Sequence, residues 1–208
     1  MIQKNDSTGC VIFQPASYST PECPVNIISK LFSSFSLKEF IKFEVNGKTG
    51  SLKKEFQKTF GDIDFPQKLL FISHGNFATF SFDSLSGPLG AEWWDIENEK
   101  FFIVAHSCHS AKILSHPNWK NKFKDWIGSK DKVWFCLNKD YYEVWSIFFH
   151  KLCKGLLETQ NAIELKKTMS TFYFDALYES SVNSKSVTSF TIAAGRNISV
   201  LTCKSEFV

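Results

Sequence analysis

The sequence predicts an α/β domain with a mostly parallel central sheet and helices on both faces. Three short, continuous apolar runs are bounded by polar or turn-forming residues, and such runs are typical of strands that are covered on both faces. They cover residues 68–73, 101–105 and 133–137. Helical patterns lie between and after these runs, and the alternation of strand with helix indicates an open sheet with right-handed crossovers.

Weaker patterns near the start of the chain add further elements. Residues 11–13 are predicted to form a short strand, and residues 40–45 alternate between apolar and polar side chains as a strand does. Apolar side chains recur at helical spacing over residues 27–35. Ser51 is predicted to cap a helix that runs through Phe60.

The rest of the chain is predicted to be mainly helical between the strands. Helical patterns cover residues 89–94, 110–114, 118–127, 141–156 and 162–178. A final strand is expected over residues 197–203. We treat residues 1–208 as one domain, in which residues 1–39 either complete the core or form an N-terminal extension that docks a partner.

The composition argues against several classes of protein. Hydrophobic residues make up 43% of the chain and aromatic residues 16%, so a large core rich in rings can form without metals or disulfides. The net charge is only +3 and the lysines are spread widely, which argues against a nucleic-acid-binding protein. The first residues lack the apolar stretch of a signal peptide, and no apolar run approaches the roughly 20 residues that span a membrane.

The cysteines indicate a reducing compartment. The chain has six of them, far apart and with no C-x-x-C pair. This is neither the pattern of a zinc ribbon nor that of a secreted disulfide framework. We therefore expect a cytoplasmic protein with reduced thiols, and a reducing compartment keeps a cysteine nucleophile available.

Reactive side chains follow two of the predicted buried strands. The first strand leads into Ser-His-Gly at 73–75, and the second leads into His-Ser-Cys-His at 106–109. The carboxyl ends of parallel strands meet at the same edge of a sheet, where functional groups gather. If these two strands are neighbours, His74 and Cys108 face one another over that edge.

This pair of residues suits the chemistry of a cysteine nucleophile. A cysteine between a strand and a helix has its thiolate favoured by the positive N-terminal end of the helix. His74 can accept the thiol proton and later protonate a leaving amine. Gly75 leaves room for a substrate carbonyl, and the backbone amides of Gly75 and Cys108 are the predicted oxyanion donors. Such a mechanism needs no cofactor and no metal.

The two strand ends resemble those of the caspase-like cysteine peptidases, which share the caspase–hemoglobinase fold, and most closely those of the CHAT branch. The first motif is the apolar strand that ends in a His-Gly pair. The second is the apolar strand followed by Cys108 among small residues, although Ser107 stands where the family usually has alanine. Residues 148–155 resemble the family's Leu-x-x-Gly helix. The resemblance spans roughly residues 40–178.

The resemblance implies a function by analogy. It implies a cysteine endopeptidase that cuts a protein or peptide substrate at limited sites, with a regulatory or activating protein and a place in bacterial defence or signalling. No nucleic-acid or membrane partner is expected. The specificity pocket of related branches is often acidic, and Asp62, Asp64 and Asp140 are the candidates by position.

Three alternatives stay open on the sequence. One is an inactive scaffold of the same fold, which only an activity measurement separates from the enzyme. Another is a flavodoxin-like binding module in which the strand-end His and Cys are incidental. The third is a metal site at His106, Cys108, His109 and His116, although a zinc site needs a closed ligand set and no second Cys/His pair lies nearby. Without a metal, His106 and His109 are expected to tune Cys108 or to line the cleft.

Overall fold

A computed structural model gives the α/β architecture. It describes residues 9–15, 40–45, 50–62, 64–76, 78–82, 89–96, 100–136, 139–159, 161–181 and 184–207. The predicted helix over 27–35 lies outside the described residues, as does most of the 1–39 segment. The prediction of a mostly parallel sheet with helices on both faces is confirmed.

The strands and helices follow one another along the chain. The strands are β1 (Cys10–Pro15), β2 (Phe40–Val45), β3 (Lys68–Ile72), β4 (His74–Gly75), β5 (Phe80–Ser81), β6 (Phe102–His106), β7 (Asp125–Ser129) and β8 (Leu201–Cys203). The helices are α1 (Leu52–Phe60), α2 (Ser110–Ser115), α3 (Tyr142–Glu158), α4 (Ala162–Glu179) and α5 (Ser184–Val200). Short 3-10 turns cover Ala91–Trp93, Lys139–Tyr141 and Lys204–Glu206.

Six of the strands form one twisted sheet in the order β2-β1-β3-β6-β7-β8. The first five run parallel, and β8 pairs antiparallel with β7. The chain passes from β1 to β2 on one side and then to β3 on the other, so the strand order reverses between β1 and β3. Strands β4 and β5 form a small antiparallel hairpin immediately after β3.

Two apolar layers cover the sheet because successive side chains of a buried strand point to opposite faces. Leu70 and Val104 pack with helices α3, α4 and α5, whereas Phe71 and Ile103 pack with α1 and α2. The second layer is built from rings in edge-to-face contact, such as Phe13 and Phe71, whose centroids are 4.7 Å apart. The ring-rich core predicted from composition is therefore present.

A buried lysine links the start of β3 to the end of α3. Lys68 is 8% exposed, and its ammonium donates to the carbonyl of Leu156 at 2.7 Å and to that of Thr159. These carbonyls lie in and just after the last turn of α3, where a cation is favoured by the helix dipole and satisfies acceptors without a partner inside the helix. The contact places the end of α3 at the amino edge of the sheet.

Most of the predicted elements are confirmed, with revised ends. Ser51 caps α1 by accepting from the Lys54 amide at 3.2 Å. The strands at 11–13, 40–45, 68–73 and 101–105, and the helices at 110–114, 141–156 and 162–178, all appear. The helix predicted over 89–94 is only the 3-10 turn Ala91–Trp93. The strand predicted over 197–203 is reduced to Leu201–Cys203, because the unpredicted helix α5 extends through Val200.

The predicted strand over 133–137 and the predicted helix over 118–127 are both wrong. The strand next to β6 is β7, and residues 132–136 follow it without regular structure. β7 is hard to recognise because Gly128 interrupts its apolar run. A Cβ at Gly128 would lie 2.8 Å from the amide nitrogen of Ala111, so the close approach of α2 requires a glycine here.

Candidate functional site

The register of the sheet aligns the ends of β3, β6 and β7 along its carboxyl edge. Ile72 of β3 pairs with His106 of β6, and β6 pairs with β7 in the same direction. His74 and Cys108 therefore each lie two residues beyond a registered pair. In an open α/β sheet this edge, beside the point where the strand order reverses, is where ligands bind.

Gly75 and Cys108 are in backbone contact. A Cβ at Gly75 would lie 1.7 Å from the carbonyl oxygen of Cys108 and 2.8 Å from its carbonyl carbon. No other residue type fits this position, because a real Cβ does not approach backbone atoms so closely. The predicted meeting of the two strand ends is thus present in the fold, with the histidine on the hairpin strand β4 and the cysteine in the turn after β6.

The thiol of Cys108 is half-buried and touches the segment that follows β7. Its sulfur accepts from the backbone amide of Val133 at 3.4 Å and lies 3.9 Å from the carbonyl oxygen of the same residue. An amide donor stabilises negative charge on sulfur more than it stabilises a neutral thiol. The segment after β7 therefore forms one wall of the space around the sulfur.

The imidazole of His74 is accessible from solvent at the edge of the sheet. The packing around it lowers the pKa of His74 below the usual value for histidine, because burial disfavours the charged form. A neutral imidazole at neutral pH is the form that accepts a proton. The lowered pKa of His74 thus favours the form that a general base requires.

The backbone is strained at the residue after the cysteine. His109 has φ of 54°, and among the described residues it alone has a positive φ without being a glycine. Its amide donates to the carbonyl of Asp131 at 3.1 Å, which fixes the turn against the segment after β7. Strained non-glycine backbone of this kind concentrates at functional sites. Sequence alone gives no means of finding such a position.

The side chain of Ser110 holds the same turn through two hydrogen bonds. Its hydroxyl donates to the carbonyl of Ala105 at 2.9 Å and accepts from the amide of Ser129 at 2.8 Å. The side chain is fully buried and ties the end of β6 to the end of β7. The position of Cys108 is therefore determined from both sides, as a preorganised site requires.

Two contacts from α5 fasten the segment after β7. The Arg196 guanidinium pairs with the Asp131 carboxylate. The side-chain carboxamide of Asn197 accepts from the backbone amide of Trp134 at 2.8 Å and donates to the backbone carbonyl of Trp134 at 2.9 Å. The Lys132 amide, with Arg196 and His109 nearby, holds the pKa of Asp131 below its usual range. Sequence analysis missed these residues because helix α5 was not predicted.

Comparisons with known protein families, with curated proteins and with solved structures give no match. The geometry of the site is thus the basis for its interpretation. None of the helices in the described part of the chain is both long enough and apolar enough to cross a membrane.

His106 is placed differently from the expectation that it tunes Cys108 or lines the cleft. It is 4% exposed and lies on the α3 side of the sheet, whereas Cys108 lies in the turn beyond the strand. Four aromatic rings surround it, with centroids 5.0–6.5 Å away, from Phe135, Trp145, Phe148 and Phe149. Burial lowers the pKa of His106 to about 3. His106 is a core residue.

This burial predicts a specific pH dependence of stability. The unfolded chain protonates His106 below its ordinary pKa, whereas the folded chain keeps it neutral until about pH 3. Stability is therefore lost as pH falls from about 6.5 towards 3, by up to about 1.4 kcal/mol per pH unit. In urea unfolding at pH 7, 5 and 4, His106→Leu should lose stability less steeply than the parent. Equal slopes for the two proteins would contradict the placement of His106.

Two of the acidic candidates lie at the wrong end of the sheet. Asp62 and Asp64 precede β3 and line a groove with Phe65 and Asp95 at the amino edge. The length of β3, at about 3.3 Å per residue, separates this groove from His74 and Cys108. Asp140 lies in the 3-10 turn Lys139–Tyr141, which precedes α3. Within the described ranges, no group of three His, Cys, Asp or Glu side chains is arranged to hold a metal ion.

Proposed function

We propose that this protein is a cysteine endopeptidase in which Cys108 is the nucleophile and His74 is the general base and acid. The observation that carries the proposal is the backbone contact of Gly75 with Cys108, which joins the two strand ends at the carboxyl edge of a parallel sheet. The neutral state of the His74 imidazole and the amide donor on the Cys108 sulfur support the same chemistry.

The proposed reaction proceeds through a thioester. His74 takes the proton of the Cys108 thiol as the sulfur attacks the carbonyl carbon of the scissile peptide bond. The backbone amides of Gly75 and Cys108 donate to the oxyanion of the tetrahedral intermediate. The intermediate collapses as the C–N bond breaks, and His74 returns its proton to the leaving amine. A water molecule, deprotonated by His74, then attacks the thioester and releases the acid and the free thiol.

The resemblance to the CHAT branch of caspase-like peptidases extends the proposal. It suggests a protein or peptide substrate that is cut at limited sites, an activating partner, and a role in a bacterial defence or signalling system in the cytoplasm. This extension rests on the two strand-end motifs and not on the geometry. An inactive scaffold of the same fold has the same motifs, so chemical reactivity is the deciding property.

The experiment that tests the proposal is competitive labelling of the thiols. The folded protein is treated with iodoacetamide and with a panel of peptidyl electrophiles, and the labelled cysteines are identified by peptide mapping. Cys136 is the internal reference because its thiol is half-buried like that of Cys108. Burial raises the pKa of the Cys136 thiol, so the change that His74→Ala produces at Cys108 is the deciding comparison. We expect Cys108 to react faster than Cys136, and His74→Ala to slow Cys108 by roughly 100-fold or more, as loss of a general base does.

A control substitution removes a different histidine, so that the effect of losing His74 can be compared with the effect of losing an imidazole elsewhere. His116→Ala, after the end of α2, should leave the labelling rate of Cys108 unchanged. If Cys108 reacts no faster than Cys136 and His74→Ala changes nothing, the dyad is not activated. The protein would then be the inactive scaffold, or a binding module with incidental cysteine and histidine.

A further inference from the structure

An apolar groove is lined in part by residues 134–136. These directly follow Val133, whose amide contacts the Cys108 sulfur. The groove has a volume of about 450 Å³ and lies between the segment after β7 and helix α5. Its lining, which we call the Trp134 groove, consists of Trp134, Phe135, Cys136, Ser189, Ile192 and Ala193. Two of these apolar side chains are unusually exposed, Trp134 at 48% and Ile192 at 58%. Large apolar side chains exposed together mark binding surfaces more often than chance.

The groove is held in shape before any ligand binds. Both backbone groups of Trp134 are hydrogen-bonded to the carboxamide of Asn197, which is itself 3% exposed. The Cys136 thiol contacts the carbonyl of Ser189 at 3.6 Å, and burial raises the pKa of that thiol so that it stays neutral. A rigid binding surface loses little conformational entropy when a ligand docks.

The groove lies close to the proposed nucleophile along the chain. Val133, whose amide donates to the Cys108 sulfur, is the residue before Trp134. A polypeptide whose scissile carbonyl lies at Cys108 therefore passes the Trp134 ring within a few residues of the cut. The nearest acid on this segment, Asp131, is already paired with Arg196. None of the six described residues that line the groove is charged, so this lining offers an apolar wall to a substrate.

We propose that the Trp134 groove binds an aromatic or branched aliphatic side chain of the polypeptide substrate close to the scissile bond. The proposal rests on the proposed peptidase function and names the substrate class of that same site. Trp134 and Ile192 are then specificity-determining residues. A substrate with Asp or Lys at that position is disfavoured, because the charge would be desolvated without a partner.

Labelling kinetics test the proposal where the dyad is active. Peptidyl electrophiles that differ at one position near the reactive group, with Phe, Leu, Asp or Lys there, are compared on the parent and on Trp134→Ala. We expect the Phe and Leu reagents to label Cys108 at least about 10-fold faster than the charged reagents, and Trp134→Ala to remove that preference. Labelling by iodoacetamide, which is too small to reach the groove, measures the reactivity of Cys108 in each protein, and the rates of the peptidyl reagents are divided by it. Phe174→Ala on α4 removes another large apolar side chain, which is 53% exposed, and is the matched control for the loss of an exposed ring.

A binding measurement separates this inference from the peptidase proposal. In Cys108→Ala, peptides with a central Phe or a central Asp are titrated while the amide resonances of Trp134 and Ile192 are followed by NMR. The Phe peptide should shift both resonances and the Asp peptide should not, whether or not Cys108 is activated. Failure of activation with the peptide shifts intact would overturn only the enzyme proposal. Absence of the shifts, or concentration-dependent self-association that Trp134→Ala abolishes, would overturn the groove assignment.

Discussion

Replacement of Gly75 by alanine is expected to disrupt the site more than alanine at any other glycine in the described part of the chain, because its Cβ would make the shortest contact with backbone. The new Cβ would lie 1.7 Å from the carbonyl oxygen of Cys108. The nearest atoms all belong to the backbone of Cys108, so no side chain can move to relieve the contact. The hairpin β4–β5 must shift away from the turn that holds Cys108. Overpacking of this kind costs about 1–3 kcal/mol or more. Labelling of Cys108 should fall by about 100-fold, since a displacement of about 1 Å has that effect on positioned groups.

Gly195→Ala is the matched control for this substitution. Gly195 lies in α5, and a Cβ there meets no atom within 4 Å. An alanine in a helix is favoured over glycine by about 0.5–1 kcal/mol, so this variant should be slightly more stable and equally reactive at Cys108. Urea unfolding and iodoacetamide labelling measure both variants. A Gly75→Ala protein with parental stability and labelling would show that the two strand ends do not touch as described.

Trp145→Ala is expected to give the largest loss of stability among the core substitutions considered. Trp145 is 1% exposed in α3, and its ring contacts aromatic partners on four elements of the fold, namely Phe135, Phe148, Tyr173 and Phe190, at centroid distances of 5.0–6.1 Å. Removing a buried tryptophan loses the free energy that is gained when its side chain moves from water into the core. It also leaves a cavity. We expect a loss of about 3–5 kcal/mol in the free energy of unfolding.

The comparison for Trp145 comes from the same chain. Trp134→Ala removes the same side chain at 48% exposure and should cost less than about 1 kcal/mol. The difference between the two variants, measured by urea unfolding at pH 7, isolates the effect of burial from the effect of the residue type. If Trp145→Ala cost no more than Trp134→Ala, the packing of α3 against α4, α5 and residues 132–136 would be wrong.

The strands that position His74 and Cys108 could be predicted because each is a continuous apolar run that is covered on both faces. Residues 68–73 and 101–105 have no polar interruption, and they became β3 and β6. β7 could not be predicted, because the close packing of α2 requires a glycine next to its last residue. Residues 133–137 resembled a strand because they are apolar. The apolar character of residues 134–136 instead serves the contacts with α3 and α5.

The candidate site was predictable to the extent that it depends on strand ends. His74 and Cys108 each follow a buried strand, so the parallel sheet alone brings them together. The contacts around them depend on pairs far apart in sequence, such as Arg196 with Asp131, which are 65 residues apart. No local pattern identifies such pairs. The strained φ of His109 likewise arises from tertiary contacts and leaves no mark in the sequence.

The attachment of residues 131–134 to α5 has a consequence for local opening of the fold. The Arg196 guanidinium pairs with Asp131, and the side chain of Asn197 holds both backbone groups of Trp134, so α5 anchors the chain on either side of Val133. Local unfolding of α5 would therefore release the residue whose amide donates to the Cys108 sulfur. Hydrogen exchange at the Val133 amide would then report the opening of a helix that lies far along the chain.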